Sequence, residues 1–248
     1  MGNKLIYNKI TENFRAGKKM LAVLIDPDKY IGDKLVTCIS EMKKVQPDFI
    51  LVGGSLTFAP TEKTIEIIKN QTDIPVILFP GNANQFSGNA DALFLLSLIS
   101  GRNPEYLIGQ HVTAAPAIYH SKIEIISVGY MLIESGAKTS VEYISNTNPI
   151  PSDKTEIAVA TALAGEMLGN KLIYLEAGSG ATNHVPAKMI STLKKHLFVP
   201  LIVGGGIRTV ENIEEVLSAG ADIVVIGNAL EKDLALMESF AETVKKFK

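Results

Sequence analysis

Val203-Gly204-Gly205-Gly206-Ile207-Arg208 and, one helix and one strand further on, Ile226-Gly227-Asn228-Ala229 decide how this chain is read. Each segment follows an aliphatic run and puts small residues where a buried strand turns toward a helix. Glycine lets main-chain N–H groups approach an anion closely, and the start of a helix adds partial positive charge. In a (β/α)8 barrel, the turns after strands seven and eight are where a phosphate is usually held. The pair therefore predicts a fold and a ligand group together.

Outward from these turns, short aliphatic runs alternate with longer amphipathic stretches, the rhythm of a parallel sheet with helical crossovers. Strands are predicted at 20–25, 49–52, 75–79, 92–96, 130–134, 172–176, 201–203 and 223–226, with helices at 31–45 and 62–70. Continuous rather than alternating hydrophobicity suits strands covered on both faces. Eight such runs in 248 residues match one (β/α)8 (TIM) barrel. No stretch reads as an interdomain linker, so one domain over 1–248 is expected. The strand count is weakest between Gly101 and Gly136, where boundaries are poorly marked. The segment 145–153, rich in Asn, Pro and Ser, reads as a loop.

Composition narrows the function classes. Hydrophobic residues make up 46% and charged residues 20%, as in an ordinary globular α/β protein. A net charge of −2 gives no electrostatic case for nucleic acid, and the absence of Trp removes the best stacking platform. Cys38 is the one cysteine, so no internal disulfide can form; it reads as a small buried helix residue. The N-terminus lacks an apolar leader region and the myristoylation pattern, and no run is long enough to span a membrane, so a cytoplasmic location is expected. His111, His120, His184 and His196 match no zinc spacing and are read as structural.

Three further strand ends carry chemistry. The first, Leu24-Ile25-Asp26-Pro27-Asp28-Lys29, places a carboxylate on the active-site face of a barrel. Asp26 and Asp28 can share Mg²⁺ there, or Asp28 can cap the following helix. The second, Val52-Gly53-Gly54-Ser55, brings a hydroxyl that either completes a Mg²⁺ site with Asp26 or caps a helix. In the sixth, Tyr174-Leu175-Glu176-Ala177-Gly178-Ser179-Gly180, alternation puts Tyr174 and Glu176 on one face. A carboxylate buried beside a phenol is costly unless used or paired; the alternative is a Glu bonded to neighbouring strands. Arg208 either adds charge at the phosphate or pairs on the surface.

Taken together, Asp26-Pro-Asp-Lys29, Gly53-Gly54-Ser55, the Tyr174–Gly180 segment, Gly204-Gly-Gly-Ile-Arg208 and Gly227-Asn228 resemble the geranylgeranylglyceryl phosphate synthase family, whose bacterial relatives include heptaprenylglyceryl phosphate synthases. Gly129-Tyr130 and Thr139-Ser140-Val141-Glu142-Tyr143 add to the resemblance, which runs over nearly the whole chain. It implies a modified TIM barrel that joins sn-glycerol 1-phosphate to a polyprenyl diphosphate through an ether bond and releases diphosphate. It further implies Mg²⁺ on Asp26 and Ser55. Glycerol phosphate would lie on Tyr174, Leu175, Glu176, Ala177, Gly178, Ser179, Gly180, Gly205, Gly206, Gly227 and Asn228, with Glu176, Tyr174 and Asp26 as the catalytic groups. The form Tyr-Leu-Glu-Ala-Gly-Ser-Gly is similar to the branch holding many archaeal enzymes, which points to a geranylgeranyl donor. A homo-oligomer, a dimer or an assembly of dimers, is implied as well, and a lipid product is compatible with peripheral membrane contact. Two rivals remain at this stage: another phosphate-binding barrel, such as a sugar-phosphate isomerase or epimerase, and a non-catalytic barrel that binds a phosphometabolite.

Overall fold

The computed structural model describes residues 5–247. The reading of the N-terminus rests partly on residues 1–4, which lie outside that range. Helix α1 (Leu5–Arg15) precedes β1 (Met20–Ile25). Next come α2 (Asp33–Val45) and β2 (Phe49–Val52), then α3 (Thr61–Lys69) and β3 (Val76–Leu78). Only a short 3-10 turn, Ala83–Gln85, lies between β3 and β4 (Ala92–Leu98). A π-helical stretch, Glu105–Gly109, runs into α4 (Gln110–Ser121), which leads to β5 (Glu124–Leu132). The remaining units are α5 (Ser140–Ser145) and α6 (Thr155–Met167) before β6 (Leu172–Glu176), α7 (Ala187–Lys194) before β7 (Leu201–Gly204), and α8 (Val210–Ser218) before β8 (Ile223–Ile226). The short α9 (Asn228–Lys232) and then α10 (Leu236–Lys246) follow.

Every strand pairs in parallel with its sequence neighbours, and β8 returns to β1 with Met20 opposite Ile223, which closes the barrel. The predicted (β/α)8 architecture is therefore present. Alternation divides the core into two layers. Met20, Ala22, Leu51, Ile126, Leu172 and Ile202 fill the lumen, while Leu21, Val23, Ile50, Ile173, Val203 and Val224 meet the helices. Burying each large aliphatic side chain contributes roughly 2 kcal/mol. Cys38 is fully buried on α2, as expected.

Strand β5 departs from the expected 130–134: it begins at Glu124. A charged residue at its start hides the strand in the sequence, yet Glu124 is buried for a reason. Its carboxylate accepts the amides of Ile6 at 2.9 Å and Tyr7 at 2.8 Å, at the beginning of α1. The carboxylate satisfies N–H groups that a helix leaves open at its start. Ile6 and Ile10 of α1 then pack into the lumen layer, so this helix floors the barrel.

Candidate active site

The loops that carry the predicted site residues all leave the carboxyl ends of the strands. After β6, β7 and β8 they enclose a small pocket whose wall includes Tyr174, Ser179, Gly180, Gly205, Gly206 and Asn228. This is the convergence of glycine turns expected from the sequence. Gly205 has φ +79°, and a side chain there would overlap the Glu176 carboxylate and the Gly178 amide. A side chain at Gly204 would overlap the Tyr174 hydroxyl. Both glycines therefore make room for the two polar groups at the end of β6. Ser179 Oγ donates to Asn228 Oδ1 at 3.3 Å, tying the sixth loop to the eighth. Arg208 lines the pocket, but its guanidinium is bound to the carbonyls of Ala181 and Thr182, so it braces the sixth loop.

Leu175 packs in the helix-facing layer, so Tyr174 and Glu176 point inward together, as alternation predicted. The side chains of Leu175 and Ala177 lie in that outer layer and do not line the pocket, which leaves these two residues their main chain for contact with a ligand. Tyr174 stacks on Phe79 at 5.5 Å and tilts against Tyr130 at 5.2 Å, which roofs the lumen with aromatic rings. Its hydroxyl is fully buried with no hydrogen-bond partner. An orphaned buried donor is expensive, and this one belongs to a residue lining the glycine pocket.

Glu176 is buried, and its Oε1 accepts the Gly178 amide at 2.6 Å. Burial raises its pKa from 4.5 to about 7; the Gly178 amide and the neighbouring Tyr174 and Tyr130 phenols pull the other way without offsetting it. The carboxylate's main-chain partner lies in its own loop, and the phenols of Tyr174 and Tyr130 flank it on the lumen side. It abuts Gly205 from behind rather than standing on the pocket wall. A carboxyl poised near neutrality is suited to accepting a proton.

In front of this pocket lies a chamber of about 600 Å³ walled by Asp26, Lys29, Ser55, Lys138, Asn228 and Glu231, among others. Asp26 directly follows β1 and accepts the Asp28 amide at 3.0 Å. Burial raises its pKa, opposed by the Asp28 amide and by Lys29, whose Nζ is 3.7 Å from Oδ2. Lys29 Nζ also meets Glu231 at 3.2 Å, and Glu231 takes the Asn228 amide at 3.3 Å. These contacts join the Asp26 side of the mouth to the glycine pocket.

Two alternatives fall here. Helix α3 begins at Thr61 with Pro60 as its cap, so Ser55 caps nothing. Asp28 neither caps α2 nor faces the chamber freely: it accepts the amides of Phe58 at 2.9 Å and Ala59 at 2.6 Å, binding the second loop to the first. Asp26 and Ser55 remain as hard oxygen donors on one wall. No group of three or more His, Cys, Asp or Glu side chains able to hold a metal occurs among the described residues. That donor set still fits Mg²⁺, which takes one or two carboxylates and keeps several waters. A half-buried carboxylate facing a single ammonium at 3.7 Å has charge left to neutralise.

A prenyl donor requires a long apolar groove, and its lining, which the sequence does not trace, is the third cavity. It is an apolar groove lined by Phe79, Phe86, Leu93, Leu95, Ala114 and Ile118, among others, and reaching the mouth at Ser55 and Tyr130. It exists because no helix covers the barrel between β3 and β4. The signal was present: Pro80-Gly81-Asn82-Ala83-Asn84-Gln85-Phe86-Ser87-Gly88 shows no helical periodicity between two strands. Tyr130, which in the sequence marks only a strand start and part of a resemblance, lines both the groove and the chamber. Of the histidines, His111 is bound to the Leu96 carbonyl at 2.8 Å and His196 to that of Thr192 at 2.8 Å, in keeping with structural roles.

A closed parallel barrel with glycine turns after its last three strands and a near-neutral buried carboxyl beside them defines an anion-binding (β/α)8-barrel enzyme. The PcrB family model matches residues 14–247. A geranylgeranylglyceryl phosphate synthase of Chitinophaga pinensis is 49% identical over 245 residues, 98% of this chain and 97% of that one. One of Spirosoma linguale is 50% identical over 233 residues, 94% of each. The crystal structure of (S)-3-O-geranylgeranylglyceryl phosphate synthase from Thermoplasma acidophilum, in complex with sn-glycerol-1-phosphate, superposes with a TM-score of 0.91 at 33% identity, covering 99% of both chains. The chain belongs to the PcrB family.

Proposed function

We infer that this protein is a prenyltransferase that joins sn-glycerol 1-phosphate to geranylgeranyl diphosphate through an ether bond and releases diphosphate. One observation carries the reading: the glycine pocket, the polar chamber and the apolar groove share walls. Leu24, Ser179, Gly227 and Asn228 border both pocket and chamber, while Gly54, Ser55, Phe79 and Tyr130 border both chamber and groove. A phosphorylated acceptor, a diphosphate and a long apolar tail thus have three adjoining places in the order the reaction needs. An isomerase of sugar phosphates has no use for the groove, and a mere binding barrel has none for Glu176. The synthase relatives favour the same choice.

Holding the acceptor phosphate in the glycine turns places its terminal hydroxyl near C1 of the prenyl chain, so orientation supplies much of the acceleration. The lone Tyr174 hydroxyl joins that hydroxyl to Glu176, which accepts the proton as the ether forms. Asp26 and Ser55 would hold Mg²⁺, which when bound stabilises charge on the departing diphosphate as a Lewis acid. Phe79 and Tyr130 close the mouth toward the groove and exclude water from the allylic carbon. No helix among the described residues is long and apolar enough to cross a membrane. A cytoplasmic homo-oligomer that meets the bilayer through its lipid product completes the reading.

Incubation with sn-glycerol 1-phosphate, Mg²⁺ and a ladder of farnesyl, geranylgeranyl and heptaprenyl diphosphates tests this directly; no ether product from any donor would overturn it. Filling the groove with Ala114→Trp should abolish use of the longest donors accepted and leave farnesyl transfer nearly intact. The same ladder, scored by product mass, checks it. Tyr174→Phe should lower turnover by roughly a hundredfold if the phenol carries the proton. A rise in the Michaelis constant for glycerol phosphate alone would restrict Tyr174 to binding.

A further inference from the structure

We propose that Lys29 and Lys138 form a two-sided clamp for the diphosphate of the donor and for the diphosphate set free, an assignment that rests on the prenyl-transfer reading. The two lysines are the only cationic side chains in the wall of the chamber, among the described residues. They come from opposite sides of the ring: Lys29 follows β1, Lys138 follows β5, and four strand-to-strand steps separate these in either direction around the barrel. An anion at the centre of the mouth therefore lies between them.

Their present contacts differ in a way that suits the task. Lys29 is positioned by Glu231 at 3.2 Å and stands 3.7 Å from Asp26. Glu231 also accepts the Asn228 side-chain amide, so Lys29 is held on the chamber wall between Glu231 and Asp26 and gains an anionic partner when Asp26 is engaged by a divalent cation. Lys138 is exposed on the loop before α5 and makes no ion pair or hydrogen bond among the described residues. A cation without a carboxylate partner, on the wall of a chamber that already holds Asp26, Asp28 and Glu231, is available for an incoming anion.

Charge balance calls for such groups. A diphosphate is multiply anionic, and a divalent cation shared with Asp26 leaves the assembly net negative. During transfer the bond between C1 and the diphosphate oxygen breaks, and its electron pair stays on that oxygen. The glycerol oxygen bonds to C1, and the hydroxyl proton leaves toward Glu176. Negative charge thus grows on the diphosphate as the transition state is approached. Ammonium groups already in place stabilise it there more than in the ground state. Lysine serves as a point charge for a phosphate and does not require bidentate geometry.

Isothermal titration calorimetry with inorganic diphosphate, with and without Mg²⁺, tests the clamp. Lys138→Ala should weaken diphosphate binding by about tenfold or more, and Lys29→Met by a similar factor, as expected for loss of one charge-assisted contact. Lys138→Arg should restore most of the affinity, and sn-glycerol 1-phosphate should bind both Lys138 variants as it binds the wild type. In steady state the Michaelis constant for the prenyl donor should rise while that for the acceptor stays put. Unchanged diphosphate affinity in Lys138→Ala would overturn the clamp, as would equal weakening of both ligands. Should the wild type make no ether while diphosphate binding still depends on both lysines, the clamp stands and the prenyl-transfer reading fails.

Discussion

Glu176→Gln loses turnover by roughly a hundredfold or more, the least that removing a positioned general base costs, and the same barrel becomes more stable in alkaline solution. The two effects share a cause. In the folded protein, burial lifts the carboxyl from 4.5 to about 7, so the native state binds its proton more tightly than the unfolded chain does. Below both values the group is neutral in either state and costs nothing. As pH rises through that window the cost of holding a buried carboxylate grows, reaching about 3 kcal/mol above the folded pKa. Glutamine keeps an acceptor for the Gly178 amide and never ionises. Its stabilising effect should therefore be small near pH 4.5 and full above pH 7, as read by denaturant melts across that range. In the wild type, kcat/KM should climb with pH through a midpoint near 7, and this step should vanish in the variant. A variant with normal turnover would take the proton-accepting role away from Glu176.

Asp26→Asn should raise the Mg²⁺ concentration required for half-maximal turnover by roughly a hundredfold or more. Calorimetric affinity for sn-glycerol 1-phosphate should stay near the wild-type value, because Asp26 lines the chamber and not the glycine pocket. The fold should tolerate the change: burial disfavours the Asp26 charge, and an amide oxygen can still accept from the Asp28 N–H. Near-normal activity at low Mg²⁺ would remove Asp26 from metal binding.

Glycine turns behind aliphatic runs were legible without a structure because the backbone alone dictates them. A turn that must pass beside Glu176 and Tyr174 has no room for a side chain, and that constraint is local enough to read. Inward-facing pairs such as Tyr174 and Glu176 followed from strand alternation for the same reason. Less local features were hidden. The start of β5 is obscured by Glu124, whose partner is the main chain of α1, 117 and 118 positions away. Asp28 offered two local roles and took neither, because the amides of Phe58 and Ala59 reach it only once the barrel has closed. Leu175 and Ala177 belonged to a motif that is continuous in the chain, but a strand sends alternate side chains to opposite faces. The groove was hardest to see, since it is made by something missing from one βα unit and is lined from β4, α4 and several loops.

With no α-helix between β3 and β4, the proposed prenyl transfer would lay its lipid tail along the flank of the molecule while the reacting atoms stay above the lumen. Selecting the length of that tail is then a trait of the exterior. A half-buried position such as Ala114 can be exchanged without repacking the lumen layer that carries Glu176. A lineage adapting the thickness of its membranes to heat or cold can therefore drift at a few flank sites and keep the same chemistry throughout.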